Sequence, residues 1–384
     1  MENRQENSGY QFEDLIRVVK RENNTRRSFL FLNRAQAKYI PSDPEETLRL
    51  FSTLGRKAAS GNCHGPAVVI GFAETATAVG MSVALAMGED SFYIHTTRET
   101  LTDAGPAVFF EEEHSHAPGH FLYCRDWQRL REAGTIVFAD DEFTTGRTIC
   151  NFADALRAKG LVGDQTDLMA ASLVNCMSDR DLDHFSDRGI DWTYLMREKG
   201  SWEHIRWQGE PRPDVMGGRP SHPYRQTAIP GNPGIRTGIE SSVYERACLK
   251  LGACLLDREI IRPSGRRVLL LGTEEFMYPV IRAGAWLKEK CPGMDVRVHA
   301  VSRSPIVPLD GPGYPVVNRS RLPSLYDDRR QVFLYNLARY DQVLMITDVA
   351  NLKESSVQTY VSVLEQFGNE DITVVQWSRT GEDA

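Results

Sequence analysis

The sequence lacks any Cys-x-x-Cys pair, and its 7 cysteines are scattered and odd in number. This argues against a cysteine zinc site or a disulfide framework and is typical of reduced thiols. The chain also lacks an apolar run near the roughly 18 residues that span a membrane. Its polar beginning, MENRQENSGYQFEDL, has no apolar core of a signal peptide. We therefore expect a cytoplasmic protein.

Positive charge is also in short supply, because 45 Lys and Arg stand against 52 Asp and Glu, a net charge of -7. An overall attraction to nucleic acid or to an anionic membrane is thereby excluded, although a local basic site is not. The sequence contains neither internal repeats nor low-complexity tracts. Its 384 residues, 41% hydrophobic and 25% charged, are ordinary globular material, and this length favours two domains over one.

Apolar, β-branched runs alternate with helical periodicity, which predicts mostly parallel sheets flanked by helices. In the first half we expect strands at 67–71, 91–95, 121–124, 135–139 and 168–174, with helices at 74–87 and 148–159. A second series has strands at 268–272, 295–301, 342–347 and 372–376, with helices at 276–290 and 352–367. Residues 207–238 are rich in Pro, Gly and Arg and follow neither period. The predicted organisation is a domain at 1–205, a linker or long loop at 206–240, and a smaller Rossmann-like α/β domain at 241–384.

The stretch ADDEFTTGRT, residues 139–148, follows the apolar strand 135–139 and precedes a helix. Ligands of open α/β sheets bind at such strand ends. Hydroxyls, a glycine and the amides at a helix start suit a phosphate monoester. The adjacent carboxylates of Asp140 and Asp141 suit a ligand that also carries vicinal hydroxyls. The motif therefore favours ribose 5-phosphate; the alternative is a strand-ending Asp pair with an Asx or Thr helix cap.

At these residues the sequence resembles the type I phosphoribosyltransferases, which bind 5-phosphoribosyl 1-diphosphate (PRPP). The resemblance implies that Asp140 and Asp141 hold the ribose. It assigns the 5'-phosphate to a loop made of Thr144, Thr145, Gly146, Arg147 and Thr148. Glu142 departs from the apolar residue that usually follows the two acids. The expected fold is the type I phosphoribosyltransferase fold, with a second, smaller α/β domain.

Three further segments lie where the resemblance needs parts. GFAETATAVG, residues 71–80, takes the place of the diphosphate loop, with Ala73, Glu74 and Thr75 nearest the turn; the alternative is a helix capping box. Residues 96–121 take the place of the closing lid, in which Arg98 is the best cation for the leaving group. Arg34 and Lys38 are candidate contacts to the diphosphate or the base, against the alternative of a solvated face. The three histidines of the lid weakly suggest a metal, and the alternative is a mobile polar lid; they are His114, His116 and His120.

Together these motifs resemble the phosphoribosyltransferases of tellurite-resistance and stress-response (Ter) gene clusters, which carry a C-terminal TRSP domain. The signature of that domain is matched by Ser302-Arg303-Ser304-Pro305, with Gly272-Thr273-Glu274-Glu275 upstream. Both segments leave predicted strands, so we expect an anion site formed by Thr273, Ser302, Arg303 and Ser304. The alternative is that Arg303 forms a structural ion pair with Glu274 or Glu275.

The resemblance implies transfer of the phosphoribosyl group to a nitrogen acceptor, with release of diphosphate. It also implies Mg2+, carried by PRPP and with Asp140 or Asp141 as its nearest side chains. Asp140, Asp141 or Glu142 is a candidate base toward the acceptor. The acceptor is unidentified, since the candidate hood segments at 9–43 and 196–238 show no code for a particular base. A homodimer and other Ter-cluster proteins are the macromolecular partners that the resemblance suggests. Two other classes stay open, a non-catalytic sensor of PRPP or nucleotides and a scaffold component of a stress complex.

Overall fold

The structure, a computed structural model, describes residues 9–22, 27–101, 104–111, 119–200, 202, 204–262 and 266–379. The helices of these residues are α1 (Phe12–Leu15), α2 (Pro44–Ala59), α3 (Thr77–Met87), α4 (Gln128–Arg131), α5 (Arg147–Ala158), α6 (Asp179–Ser186), α7 (Ser241–Asp257), α8 (Tyr278–Lys290) and α9 (Glu354–Gln366). Within the described ranges, no helix has the length and apolar character needed to cross a membrane.

The strands are β1 (Ile16–Lys20), β2 (Phe29–Asn33), β3 (Ala67–Gly71), β4 (Phe92–His95), β5 (Ala107–Glu111), β6 (Gly119–Tyr123), β7 (Thr135–Phe143), β8 (Asp167–Asn175), β9 (Ile190–Arg197), β10 (Val215–Met216), β11 (Arg225–Asn232), β12 (Ile239–Glu240), β13 (Arg267–Gly272), β14 (Asp295–Ala300), β15 (Arg319–Pro323), β16 (Gln331–Tyr335), β17 (Gln342–Thr347) and β18 (Ile372–Arg379). The predicted strands at 67–71 and 342–347 are confirmed to the residue.

The first compact unit comprises residues 1–16, 49–200 and 234–243. Its sheet has the strand order β12-β4-β3-β7-β8-β9, and every neighbouring pair from β4 to β9 is parallel. The chain passes from β3 to β4 on one side and then returns to β7 on the other side of β3. Because crossovers between parallel strands are right-handed, the connections that follow β3 and β7 cover opposite faces of the sheet. A crevice at the carboxyl ends of β3 and β7 follows from this change of direction.

Small residues bring α3 close to this sheet. An added Cβ at Gly80 would lie 2.8 Å from the Cα of Gly71, so neither position accommodates a side chain without movement. The Tyr93 hydroxyl of β4 donates to the carbonyl of Thr77 at 2.5 Å and fixes the start of the helix. Residues 77–84 of α3 are all buried, so this part of the helix is enclosed on every side. The loop between Gly71 and Thr77 is thereby held firmly at the crevice.

One predicted strand belongs to a different sheet. Of the predicted strand 121–124, which we expected in the main sheet, residues 121–123 fall in β6, which pairs with β5 as an antiparallel hairpin. The apolar run that suggested a buried strand serves this hairpin instead, with Leu122 and Tyr123 buried and Phe121 less so. The segment that we assigned to a lid therefore contains regular structure.

The second compact unit comprises residues 17–48, 201–233 and 244–384. Its main sheet has the strand order β11-β18-β17-β13-β14, and all neighbouring pairs are parallel. The chain passes from β13 to β14 on one side and later to β17 on the other side of β13. The change of direction that the first unit makes around β3 is thus repeated here around β13. Smaller sheets are formed by β10, β15 and β16 and by β1 and β2.

The compact units differ from the predicted domain boundaries. Residues 17–48, which we placed with the first domain, and 201–233 cluster with the second unit, while 234–243 cluster with the first. The segment 206–240, expected to be a linker or loop, contains β11, which pairs with β18 and has a bulge between Pro230 and Asn232. Its strand character depends on this distant partner, since Pro and Gly weaken any local strand signal.

Candidate functional site

Strand β7 extends beyond the end of its neighbour β3 at the crevice of the first unit. Pairing between β3 and β7 ends at Gly71 and Ala139, whereas pairing between β7 and β8 continues to Phe143 and Asn175. Asp140, Asp141 and Glu142 therefore lie on the strand, and the connecting loop is limited to 144–146. The apolar run predicts a strand that ends at residue 139, but β8 extends the strand to Phe143 because it supplies backbone partners beyond the point where β3 stops.

The three acidic side chains lie at the boundary between core and solvent. Asp140, Asp141 and Glu142 are half-buried, between the buried residues Ala139 and Phe143. The Asp141 amide donates to Oδ1 of Asp140 at 2.9 Å, which fixes the first carboxylate relative to the strand. An ionised carboxylate accepts hydrogen bonds and donates none, so this strand end is suited to a ligand that carries hydroxyls.

The loop that follows turns at Gly146. This residue is the N-cap of α5 and has φ +67°, a left-handed conformation that favours glycine. An added Cβ would lie 2.5 Å from Cε1 of Phe185 and 2.7 Å from Cε of Met177. No side chain caps this helix, so the capping alternative for the motif is not what the structure shows. The first amides of α5 therefore begin directly beside a loop of hydroxyl residues.

The hydroxyl residues of the motif surround this turn. Thr144, Thr145 and Thr148 are half-buried, while Arg147 is exposed. The Arg147 amide approaches Oγ1 of Thr145 at 3.5 Å. Amides and hydroxyls at the amino end of a helix bind phosphate, because both are donors and the helix dipole is positive there.

The loop after β3 lies at the same crevice. The Ala73 amide donates to Oγ1 of the buried Thr96 at 2.9 Å, and the peptide bond between Ala73 and Glu74 is cis. Glu74 is buried and Thr75 is half-buried. Helix α3 begins at Thr77 and no side chain caps it, so the predicted alternative of a capping box is not observed. The strand order brings this loop and the 144–146 loop to neighbouring strand ends.

Backbone hydrogen bonds connect the β5–β6 hairpin to the segment that follows β4, immediately before Arg98. Thr97 and Phe121 exchange backbone hydrogen bonds of 2.8 and 2.9 Å, and Arg98, the following residue, is half-buried. The Leu101 amide approaches the Tyr123 hydroxyl at 3.3 Å. Arg98 is thus placed just beyond the end of β4, next to β3 in the sheet. Its contact with a leaving group stays a prediction.

The structure describes only His120 of the three histidines in this segment. His120 is buried, stacks on Phe110 with 5.1 Å between ring centroids, and approaches Thr96 Oγ1 at 3.4 Å. His114 and His116 lie outside the described residues. Across the part of the chain that the structure describes, no three His, Cys, Asp or Glu residues form a group that could hold a metal ion.

Arg34 and Lys38 belong to the second unit, and they do not lie on a helix. Lys38 is fully buried, and its Nζ donates to the carbonyl of Glu274 at 2.7 Å, so a solvated face does not describe it. Arg34 is exposed and lines a cavity of about 340 Å³ together with Arg17, Ile40, Gly313 and Pro315. One of the two candidate cations is therefore buried and the other exposed, and their role toward PRPP stays a prediction.

The candidate residues of the second unit meet at the carboxyl end of its sheet. Nε of Arg303 donates to Oε2 of Glu274 at 2.6 Å, which is the ion pair that we considered as the alternative to an anion site. Ser302 exchanges backbone hydrogen bonds with Phe333, and the Ser304 amide donates to the Ser302 hydroxyl at 3.1 Å. The Thr273 hydroxyl is 2.9 Å from that of Thr347.

Several polar residues at these two crevices were not among the predicted site residues. Thr96 supports the loop after β3, and its signal was its position directly after the predicted strand 91–95. In the second unit Thr347 ends the predicted strand 342–347 and Asp348 follows it, which is the same signal as the acids after the predicted strand 135–139. Tyr326 carried no local signal, because distant residues bring it to the crevice.

Comparison with known families agrees with these features. Residues 15–194 match the family model described as a phosphoribosyl transferase, so this part of the chain is a phosphoribosyl transferase domain. Residues 234–364 match the model of the TRSP domain, described as the C terminus to that phosphoribosyl transferase domain. The chain therefore carries a phosphoribosyl transferase domain followed by a TRSP domain. The predicted α/β class, with mostly parallel sheets flanked by helices, is confirmed by the strand pairing of both units.

Similar solved structures include adenine phosphoribosyltransferases from three organisms. That of Trypanosoma brucei is 12% identical, with 48% of this chain and 77% of that chain covered and a TM-score of 0.36. That of Thermoanaerobacter pseudethanolicus is 16% identical, with 49% and 98% covered and a TM-score of 0.34. That of Giardia lamblia is 14% identical, with 49% and 96% covered and a TM-score of 0.35. No curated protein matches the chain.

Proposed function

We propose that this protein transfers the 5-phosphoribosyl group of PRPP to a nitrogen acceptor and releases diphosphate. The observation that carries the proposal is the end of β7, where two half-buried carboxylates are followed after four residues by a left-handed glycine at the start of α5. Carboxylates for ribose hydroxyls and a donor loop for the 5'-phosphate lie on one strand end, in a domain of the phosphoribosyl transferase family.

The groups near this strand end are compatible with Mg2+. This ion prefers oxygen ligands, keeps several waters, and is commonly held by one or two carboxylates together with substrate phosphates. Asp140 and Asp141 supply two partly exposed carboxylates, and among the described residues there is no three-ligand cage that would hold an ion by itself. When bound, Mg2+ neutralises charge on the diphosphate. Asp140 and Asp141 are the side chains we assign to its vicinity.

The residues of this chain have separate tasks in the proposed reaction. The C1–oxygen bond to diphosphate breaks, its electron pair leaves with the diphosphate, and the acceptor nitrogen forms the new bond to C1. Asp140 and Asp141 orient the ribose through its hydroxyls, and the 144–148 segment holds the 5'-phosphate. Ala73, Glu74 and Thr75 face the diphosphate, and Arg98 neutralises the charge that develops as it departs. Asp140, Asp141 or Glu142 takes the proton of the acceptor.

The acceptor that we propose is a nucleobase-like nitrogen compound, and the product is a nucleotide-like metabolite. The match to the TRSP domain supports the resemblance to the Ter-cluster phosphoribosyltransferases, and a stress or tellurite-resistance pathway is the cellular setting we propose. Partners in that setting are a second copy of the chain and other Ter-cluster proteins.

Diphosphate release from PRPP with Mg2+ and a panel of nitrogen acceptors tests the activity. In the double variant Asp140→Asn with Asp141→Asn, we expect turnover to be lost and the affinity for PRPP, measured by calorimetry, to fall by at least about tenfold, since two charged hydrogen-bond acceptors are removed. The change lies at the half-exposed strand end, so the thermal unfolding midpoint should stay close to that of the wild type.

The matched control removes the same charge from the opposite end of the sheet. Asp164 and Asp191 are exposed and lie just before β8 and near the start of β9. Asp164→Asn with Asp191→Asn should leave PRPP affinity and turnover unchanged. Undiminished PRPP affinity in the Asp140/Asp141 variant would contradict the ribose assignment. PRPP binding without diphosphate release from any acceptor would instead favour a sensor, and absence of PRPP binding a scaffold.

A further inference from the structure

Both units have a glycine at the end of the strand around which the chain changes direction. In the first unit, Gly71 ends β3 beneath the following loop, and an added Cβ there would lie 3.1 Å from the carbonyl oxygen of Ala76. In the second unit, Gly272 ends β13, and an added Cβ would lie 2.5 Å from the carbonyl oxygen of Phe276. Each glycine thus lets a short loop fold over the end of the strand at which the chain changes direction, where ligands of such sheets bind.

A directed series of hydroxyls lies at this point of the second unit. The Tyr326 hydroxyl donates its proton to Oδ1 of Asp348 at 2.5 Å. It must then accept from Thr273, whose Oγ1 is 3.1 Å away, and Thr273 in turn accepts from Thr347 at 2.9 Å. Each hydroxyl has one proton, so an ionised Asp348 sets the direction of the whole series. Asp348 itself is only half-buried, at the end of the central strand β17.

Positive charge collects beside this series. The carboxylate of Glu274, 1% exposed, accepts from Arg303 at 2.6 Å and from the Ser324 hydroxyl, and Nε of Arg330 lies 4.0 Å from it. The buried ammonium group of Lys38 binds the carbonyl of the same residue. Two guanidinium groups therefore lie beside the Glu274 carboxylate, and a third cation binds its main-chain carbonyl. The other acids of these loops are Glu275, Asp327, Asp328 and Asp348. Guanidinium groups are the side chains best matched to a phosphate.

One buried polar group points to a ligand independently of the loops. Tyr360 of α9 is 1% exposed, and among the described residues no atom forms a hydrogen bond with its hydroxyl. Burial raises the pKa of Tyr360 well above its ordinary value, and the charge of Glu274 raises it further, so the phenol lies near that carboxylate. A buried hydroxyl without a partner is costly, and a polar ligand or water beside Glu274 would satisfy it.

We propose that the carboxyl end of β13 and β17 is a second ligand site, which binds a phosphorylated sugar. Arg303 and Arg330 face the phosphate, and Asp348 and Tyr326 face sugar hydroxyls. The choice of ligand rests on the proposed function, because the product of the first unit keeps both the 5'-phosphate and the ribose hydroxyls; the place of the site does not. The TRSP domain then receives the kind of compound that the transferase domain makes.

Calorimetry with ribose 5-phosphate tests this on the full chain that carries Asp140→Asn with Asp141→Asn, so that the first site is weakened. We expect one binding event to remain. Adding Arg330→Gln should weaken it about 10- to 100-fold, since one charge-assisted hydrogen bond is lost, and adding Tyr326→Phe about 2- to 10-fold. Arg329→Gln is the matched control, because its side chain is 88% exposed and pairs with Asp327.

The outcomes separate this inference from the proposed function. Residual binding that Arg330→Gln and Tyr326→Phe weaken and Arg329→Gln does not supports the second site, whether or not diphosphate is released from PRPP. If no binding remains, or if all three variants bind alike, the second site is wrong even when the transferase activity is present. Should Arg330→Gln unfold the chain in a thermal scan, the Tyr326→Phe variant decides, because it removes a single half-buried hydroxyl.

Discussion

Replacing Gly146 by alanine perturbs the phosphate loop by two separable physical effects. The first is conformational, since φ at this position is +67°. The second is steric, because the new methyl group would lie 2.5 Å from the Phe185 ring and 2.7 Å from the end of Met177. Met177 can move, but Phe185 is fully buried and packs on Phe143 and Trp192 with ring centroids 5.9 and 6.3 Å away. The aromatic ring therefore resists displacement.

Gly160→Ala isolates the conformational effect. Gly160 has φ +61° in the same unit, and no atom lies within 4 Å of an added Cβ. A left-handed alanine costs about 1 to 2 kcal/mol, and the stiffer unfolded chain returns about 0.5 kcal/mol, so the control should lose about 1 kcal/mol. Overpacking a filled core adds about 1 to 3 kcal/mol, so Gly146→Ala should lose about 2 to 4 kcal/mol of unfolding free energy.

Urea unfolding of the two variants, followed by circular dichroism, measures both losses in the full chain. The difference between them is the packing term, about 1 to 3 kcal/mol. Calorimetry with PRPP adds the functional side, since a displaced turn moves the amides at the start of α5, and Gly160→Ala should bind PRPP as the wild type does. Equal losses of stability in the two variants, within about 0.5 kcal/mol, would refute the packing argument.

Two further changes have defined outcomes. Arg98→Ala should lower turnover by about 100-fold while PRPP affinity changes less than about tenfold, because charge on the diphosphate develops only as the bond breaks; parallel measurement of diphosphate release and PRPP binding checks this, and equal losses would indicate a ground-state anchor. Burial lowers the pKa of His299 to about 4, with its Nε2 on the carbonyl of Tyr335. The unfolded chain then takes up the proton first as the pH falls, so stability present above about pH 6.5 declines toward pH 4, by about 2 kcal/mol between pH 7 and 5. His299→Gln should remove that part of the pH dependence in urea unfolding, and an unchanged slope would contradict the assignment.

Parts of both units could be predicted from local sequence. The strands at 67–71 and 342–347 are short, apolar runs that both faces of a sheet can bury, so their bounds need no distant information. The motif at 139–148 likewise carries its own geometry: an apolar strand, two acids, and a glycine where the chain adopts a left-handed conformation. These features depend on residues that are close to one another in the sequence, which is why the sequence alone indicated ligand chemistry there.

The positions of Lys38, β11 and the β5–β6 hairpin depended on the tertiary structure. Lys38 is solvated or buried according to whether the carbonyl of Glu274, 236 positions away, is beside it. Strand β11 has Pro and Gly near its end and exists as a strand because β18 pairs with it. Distant pairing outweighs local preference in such segments, since backbone hydrogen bonds that a neighbouring strand satisfies stabilise a conformation that the residues favour only weakly.

The sequence by itself determined the class of chemistry, through the acids, hydroxyls and glycine that follow one apolar strand. The tertiary structure alone decided that the change of direction around β3 and β7 occurs again around β13 and β17. The sequence contains no internal repeat that would have predicted it. The tertiary structure also assembled Thr273, Tyr326 and Asp348 into one series of hydrogen bonds. Hydrogen bonds between side chains act over about 3 Å in space and carry no trace in sequence spacing, so only the folded sheet, which sets adjacent strand ends side by side, brings them together.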